Sequence, residues 1–123
     1  MNRRPAILSG ALMSVCAVLS WGMQGAALAE DATANRGKAV FDLWCAGCHR
    51  PVKPGDLPVA GTSSLERTYK GMKPAALEQR TDLKAAYVKS IVRSGTKAMP
   101  MTRKTEISDR DLEALAAYLE KSP

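Results

Sequence analysis

Apolar residues are distributed along this chain in two ways. From Ala6 to Leu28 they run nearly unbroken and without a charge, behind Arg3 and Arg4, and Ala27-Leu28-Ala29 has the small-x-small form of a signal-peptidase site. That pattern predicts a cleaved export signal over residues 1–29 and a mature domain over 30–123. Ser9, Gly10, Ser14, Ser20, Gln24 and Gly25 interrupt the stretch, which favours a removable leader over a retained anchor. No stable membrane insertion is expected once the leader is gone.

After Glu30 the apolar residues fall at helical spacing. Val40, Leu43 and Trp44, with Phe41 beside them, predict a helix over Asn35–Cys48, capped by Asn35 or Thr33. Pro51, Pro54, Gly55, Pro58 and Gly61 make Arg50–Gly61 a loop. Ser63-Ser64-Leu65-Glu66 has the form of a capping box, and Gly71 is placed to end the short helix it would start. Pro74–Arg80 offers a further turn or two. A firmer helix is expected after Thr81 or Asp82, with Leu83, Tyr87 and Ile91 on one face, Val88 and Val92 beside them, and Gly95 past its end.

Thr96–Glu106 then reads as a second loop, carrying Met99-Pro100-Met101. In the final helix Ser108 and Asp111 form a capping box, Ile107 and Leu112 a hydrophobic staple, and Leu112, Leu115, Ala116 and Leu119 a continuous apolar stripe. No alternating run competes with these patterns. The predicted fold is small and all-α.

Size and charge narrow the function. The chain of 123 residues suffices for one domain. Without Arg3 and Arg4, 16 basic residues remain against 12 acidic ones, a formal +4. The basic residues are spread out and are not interleaved with aromatics, so nucleic acid is not an expected partner. A domain of this size commonly relies on a staple, a metal or a cofactor for stability.

The candidate chemistry lies in "WCAGCHRP", residues 44–51, which hold Cys45, Cys48 and the only histidine, His49. A structural zinc site wants four protein ligands and the mature chain offers fewer of the right kind. A thioredoxin-like motif belongs to a βαβ unit, and no strand pattern is present. A plain Cys45–Cys48 disulfide is chemically allowed in an oxidising compartment but leaves His49 without a role. Covalent haem uses all three residues: two thiols one helical turn apart add to the porphyrin vinyl groups, and the adjacent imidazole turns to the iron. Cys-x-x-Cys-His is the sequence sign of that attachment.

With this motif in place, the mature chain resembles the class I c-type cytochromes over nearly all of residues 35–120. Gly37 and Phe41 stand where these proteins pack the first helix across the last, and Leu115 and Tyr118 match the receiving positions. The resemblance implies a cytochrome c-like fold of three to five short helices wrapped around one haem c, held through Cys45 and Cys48. It implies His49 as one axial ligand and, opposite, a methionine followed by proline shortly before the last helix; Met99 fits best among Met72, Met99, Met101 and Lys97. It further implies that a proline carbonyl accepts the His49 ring N–H, with Pro58 preferred over Pro51. Tyr69 and Arg93 are candidates for the haem propionates.

Such a protein is an electron carrier rather than an enzyme, working in the periplasm between donor and acceptor proteins. The stretch "AYVKSIVRSGTKAMP" with "ISDRDLEALAAYL" is also similar to small cytochrome subunits of periplasmic flavoprotein dehydrogenases, which makes a dedicated subunit the alternative. A haem sensor or peroxidase with an open iron site is a third reading, and the available Met99 speaks against it.

Overall fold

The computed structural model describes residues 20–121, with side chains over 30–121. Residues 1–19 of the expected leader lie outside the described residues. The chain divides into two units, Met1–Glu30 and Asp31–Pro123, and the chemistry sits in the second. The described elements are α1 (Ser20–Trp44), α2 (Ala46–His49), α3 (Ala60–Tyr69), a 3₁₀ turn at Leu77–Gln79, α4 (Ala85–Ser94) and α5 (Asp109–Leu119). Among the described residues there is no strand, only an isolated bridge between Thr96 and Met99.

Helix α1 passes through Thr33 and Asn35 instead of starting there. The sequence between Ala26 and Lys38 is rich in alanine and holds no proline, so high helix propensity carries the helix across the predicted cap. Its buried face is Gly37, Val40 and Phe41; Leu43 is 76% exposed and Trp44 49%, so the predicted stripe was turned too far toward the helix end. The core gathers Val40 and Phe41 with Leu83, Val88 and Val92, and with Ile107, Leu112, Leu115, Ala116 and Leu119.

Gly37 fixes how α1 meets α5. A Cβ at this position would lie 2.2 Å from the Ala114 carbonyl oxygen and 2.6 Å from the Tyr118 Cβ. Only a missing side chain lets two helix backbones come this close. One turn on, the Phe41 and Tyr118 rings pack with centroids 6.0 Å apart. The Tyr118 hydroxyl donates to the Glu78 carboxylate, tying the 3₁₀ turn to α5.

Two helix starts differ from expectation. Helix α3 begins at Ala60, with Val59 as an N-cap whose side chain bonds nothing, and Ser63 lies a turn inside. Val59 and Thr62 are buried, so packing sets this start instead of the Ser63–Glu66 box. Its end comes one residue early, with Lys70 in the left-handed region (φ 48°) ahead of Gly71. Helix α4 starts after Lys84 without a side-chain cap. Leu83 therefore precedes the helix, and the inner face becomes Val88 and Val92, one turn apart, leaving Tyr87 56% exposed.

The last helix matches its prediction closely. The Ser108 hydroxyl accepts from the Asp111 N–H at 3.1 Å and donates to the Asp111 carboxylate at 2.7 Å, while Ile107 and Leu112 are both buried. Ser108→Ala should therefore destabilise the protein by about 1 kcal/mol. Thermal melts of the two proteins check this; an unchanged midpoint would mean that the staple alone fixes the helix start.

Candidate haem-binding site

The predicted motif forms one compact turn. Helix α1 ends at Trp44, and Cys45 serves as N-cap of α2; its carbonyl accepts from the N–H groups of Cys48 at 3.0 Å and His49 at 2.9 Å. Both thiols are free, Cys45 half-buried and Cys48 exposed. Burial first, then the neighbouring Cys48, pushes the Cys45 thiol up to about 11. Redox-active C-x-x-C pairs are activated by a depressed value, so this environment is the reverse of a disulfide exchanger's.

His49 is half-buried, and burial lowers its pKa, which favours the neutral imidazole that ligates metals. Its Nδ1 is buried and has no hydrogen-bond partner. The expected proline carbonyl is thus not on it: Pro58 is exposed in the loop, and neither Pro58 nor Pro51 accepts from the ring. What lies against that edge is Gly61, whose Cβ would fall 2.7 Å from His49 Cε1 and 2.8 Å from Nδ1. Next to it the Thr62 hydroxyl donates to the Arg50 carbonyl at 2.8 Å.

The methionines separate by burial. Met99 is half-buried and packs on the core cluster that also receives Cys45, whereas Met101 is 61% and Met72 81% exposed. Reciprocal backbone bonds of 3.0 and 2.8 Å between Thr96 and Met99 close a tight turn, with Lys97 at its tip exposed and at φ 48°. Gly95 admits that turn: at φ 69° its Cβ would meet the Met99 carbonyl oxygen and the Met101 nitrogen at 2.8 Å. The structure therefore brings Cys45 and Met99 to one cluster and leaves Met72, Lys97 and Met101 outside it.

The donor set fits a metal that arrives with its own macrocycle. No group of three or more His, Cys, Asp or Glu side chains able to hold a bare ion exists among the described residues. Paired free thiols one turn apart, followed directly by a half-buried imidazole that favours its neutral form, match what covalent haem requires. Once bound, haem would supply a one-electron couple; Cys45 and Cys48 would anchor it, and His49 and Met99 would ligate it. A cleft of about 530 Å³ nearby, lined by Pro51, Val52, Thr62, Glu66 and Met72 among others, is bordered by neither cysteine, His49 nor Met99.

The predicted propionate contacts fare differently. Arg93 is engaged with the carbonyls of Thr102 and Ile107, at 3.1 and 2.9 Å, and with Asp109 at 2.9 Å, so it braces the Met99 loop against α4 and α5. Tyr69 accepts from Arg80 at 2.7 Å. Arg80 escaped the sequence reading: only 5% exposed, it also forks onto Asp82 through two bonds of 2.7 Å. Nothing in the spacing of "QRTDL" marks it as buried.

Arg80, and then Lys73, hold the Asp82 carboxyl well below the usual carboxylate range. A depressed folded value means a stabilising contribution that is complete above the unfolded pKa of about 4 and is lost as pH falls below it. Asp82→Asn should accordingly be less stable than wild type at pH 7, with the gap narrowing toward pH 2. Melting curves from pH 2 to 7 test this, and a gap constant with pH would refute it.

Three comparisons bear on identity. A family model described as "Cytochrome C oxidase, cbb3-type, subunit III" matches residues 32–119. The chain is 33% identical, over 108 residues, to the "4-cresol dehydrogenase [hydroxylating] cytochrome c subunit" of Pseudomonas putida, covering 86% of this chain and 79% of that protein. No solved structure matches at comparable significance. The fold, the C-x-x-C-H turn and these matches agree: the chain belongs to the cytochrome c domain family of cbb3-type subunit III and is an electron carrier, a membership that implies covalent haem c.

Proposed function

We propose that this protein is a periplasmic monohaem carrier that holds haem c through Cys45 and Cys48, with His49 and Met99 as axial ligands, and passes single electrons between proteins. The observation that carries this reading is the one-turn step from Cys45 to Cys48 with a neutral, half-buried His49 directly behind it. The burial of Met99 against the cluster that also receives Cys45 supports its choice over Met101.

The division of labour among the residues follows from their chemistry. Cys45 and Cys48 fix the group irreversibly, so a small domain with a modest core does not lose it. His49, unable to charge easily in its buried setting, offers a neutral nitrogen. The soft, neutral thioether of Met99 favours the ferrous state relative to more basic ligands and raises the reduction potential. If His49 and Met99 both held the iron, they would leave it no open site for a substrate, which suits transfer and not catalysis.

Export is part of the proposal, resting on the expected leader over residues 1–29. Among the described residues no helix is long and apolar enough to cross a membrane. The second reading, a dedicated subunit of a flavoprotein dehydrogenase, draws support from the relative named as a dehydrogenase cytochrome subunit. The exposed Leu43 and Trp44, immediately before Cys45, supply an apolar spot for such a partner.

Mass spectrometry of protein from a haem-maturing periplasm tests both the cofactor and the export. The expected mass is that of a chain starting at Glu30 plus one haem, with the colour retained after acid-acetone extraction. Extraction of the pigment from the polypeptide would defeat the reading. Copurification with a flavin-containing subunit would favour the second one.

A further inference from the structure

The geometry points to a docking site for an acidic protein surface in the cleft between the loop after His49 and the turn after α3. This rests on the carrier reading above and concerns the protein with which electrons are exchanged. The cleft holds about 530 Å³ and is walled by Pro51 and Val52, by Thr62 and Glu66 of α3, and by Met72 and Ala75 of the segment that follows. Neither cysteine borders it, nor does His49 or Met99.

Packing and hydrogen bonds set the walls, so a partner meets a formed surface. Thr62 is buried and its hydroxyl donates to the Arg50 carbonyl at 2.8 Å, which ties α3 to the loop. At the other wall Lys70 (φ 48°) and Gly71 (φ 81°) are both left-handed and reverse the chain, and the Met72 N–H donates to the Tyr69 carbonyl at 2.9 Å. The Tyr69 ring lies against Lys73 Nζ at 4.6 Å and the Arg80 guanidinium at 5.1 Å, and Ala75 and Ala76 are buried. A formed site spares the ordering cost that a flexible one adds to binding.

Two properties of this surface select its occupant. One is charge. Basic residues are spread along the mature chain, but acidic ones are not: residues 50–73 hold five basic residues and two acidic ones, a formal +3 out of the mature chain's +4. Asp56 meets Arg50 at 2.8 Å and Asp82 meets Lys73 at 3.0 Å, so the surplus lies in the exposed Lys53, Arg67 and Lys70, against Glu66. The other property is apolar: Met72 is 81% exposed and Val52 37%. A flexible thioether adapts to side chains of varied shape. Carboxylates flanking one apolar residue complement both properties. The charge draws the partner in from a distance and fixes its orientation, and Pro51 at the cleft edge stands two residues from His49. A second copy of this chain would bring the same positive field to the contact.

The test titrates isotope-labelled, haem-loaded ferrous protein with a peptide of six glutamates around one leucine, followed by amide NMR shifts. Wild type should bind at low ionic strength, with shifts concentrated at Val52, Lys70 and Met72 and the affinity falling as salt is added. Lys53→Glu should weaken binding about tenfold, and Arg110→Glu, which makes the same change in net charge on α5, less than about twofold. Met72→Ser should weaken it while leaving the salt dependence unchanged. Equal losses from Lys53→Glu and Arg110→Glu would overturn the site and leave only the field of the whole molecule; shifts elsewhere, or no binding, would overturn it too. A dimer that Met72→Ser dissociates in sedimentation would assign the cleft to a second copy. Binding to phosphatidylglycerol vesicles without binding to the peptide would assign it to a lipid surface, and either result overturns the acidic-protein assignment. Covalent haem is checked first on the same samples, by mass and by the pyridine haemochrome spectrum. Its absence would defeat the carrier reading and this inference with it, whereas an adverse titration of haem-loaded protein would sink this inference alone.

Discussion

Gly37→Ala is expected to destabilise the protein by about 3 kcal/mol, the upper end of what overpacking produces. The sign is the informative part. In an exposed helix the same change stabilises by roughly 0.5–1 kcal/mol, because alanine loses less backbone freedom on folding. At residue 37 the new Cβ would meet the Ala114 carbonyl oxygen at 2.2 Å and its carbon at 2.8 Å. These are backbone atoms inside α5 and cannot rotate away. Relief requires α1 and α5 to part, which loosens the fully buried Phe41 and Leu115 together with the Phe41–Tyr118 contact. Against a typical stability of about 5–15 kcal/mol for a whole domain, that loss is large. Denaturant titration of the haem-loaded variant measures it; a midpoint equal to or above wild type would show that the helices do not cross at this glycine.

Gly37 also illustrates what was legible in the sequence. The crossing of α1 on α5 could be anticipated because the resemblance to class I c-type cytochromes puts Gly37 and Phe41 where the first helix packs across the last, and a missing side chain lets two backbones come that close. The start of α5 was equally legible, since Ser108, Asp111, Ile107 and Leu112 all act within five positions of one another. The haem motif belongs to the same class, being a local spacing of Cys45, Cys48 and His49.

Elements set by tertiary packing were not legible. The Ser63–Glu66 pattern had the right chemistry for a cap, yet α3 starts four residues earlier, with Val59 as N-cap, because the buried Val59 and Thr62 pack there and the Thr62 hydroxyl bonds the Arg50 carbonyl. Tyr87 and Leu43 had the right hydrophobicity for the core, but Val88, Val92, Val40 and Phe41 occupy it, and Tyr87 and Leu43 are exposed. Arg80 was invisible because a buried arginine depends on distant partners, Tyr69 eleven residues before it and Asp82 two after. Arg93 looked available for a ligand, while the folded chain uses its guanidinium to hold Thr102, Ile107 and Asp109.

Met99→Ala is expected to abolish the weak far-red sulfur-to-iron absorption and to make the ferrous protein bind carbon monoxide rapidly and completely at neutral pH. Met101→Ala should leave both properties as in wild type. The distinction rests on the loop's construction. Thr96 and Met99 bond each other's backbones, Gly95 permits the turn, and beyond it the Thr102 N–H reaches the Val92 carbonyl at 2.9 Å. Arg93 then fastens the Thr102 carbonyl from α4. Held at both ends, the loop presents the two methionines to opposite surroundings, Met99 to the core and Met101 to solvent. Exchanging their roles would require breaking the Thr96–Met99 pair and burying a side chain now 61% exposed. Melting should also separate the variants, because truncating a methionine packed on the core costs at least about 2 kcal/mol and truncating an exposed one almost nothing. If Met101→Ala removed the far-red band while Met99→Ala lowered only the melting temperature, Met99 would be a packing residue and the loop would have to rearrange when haem is attached.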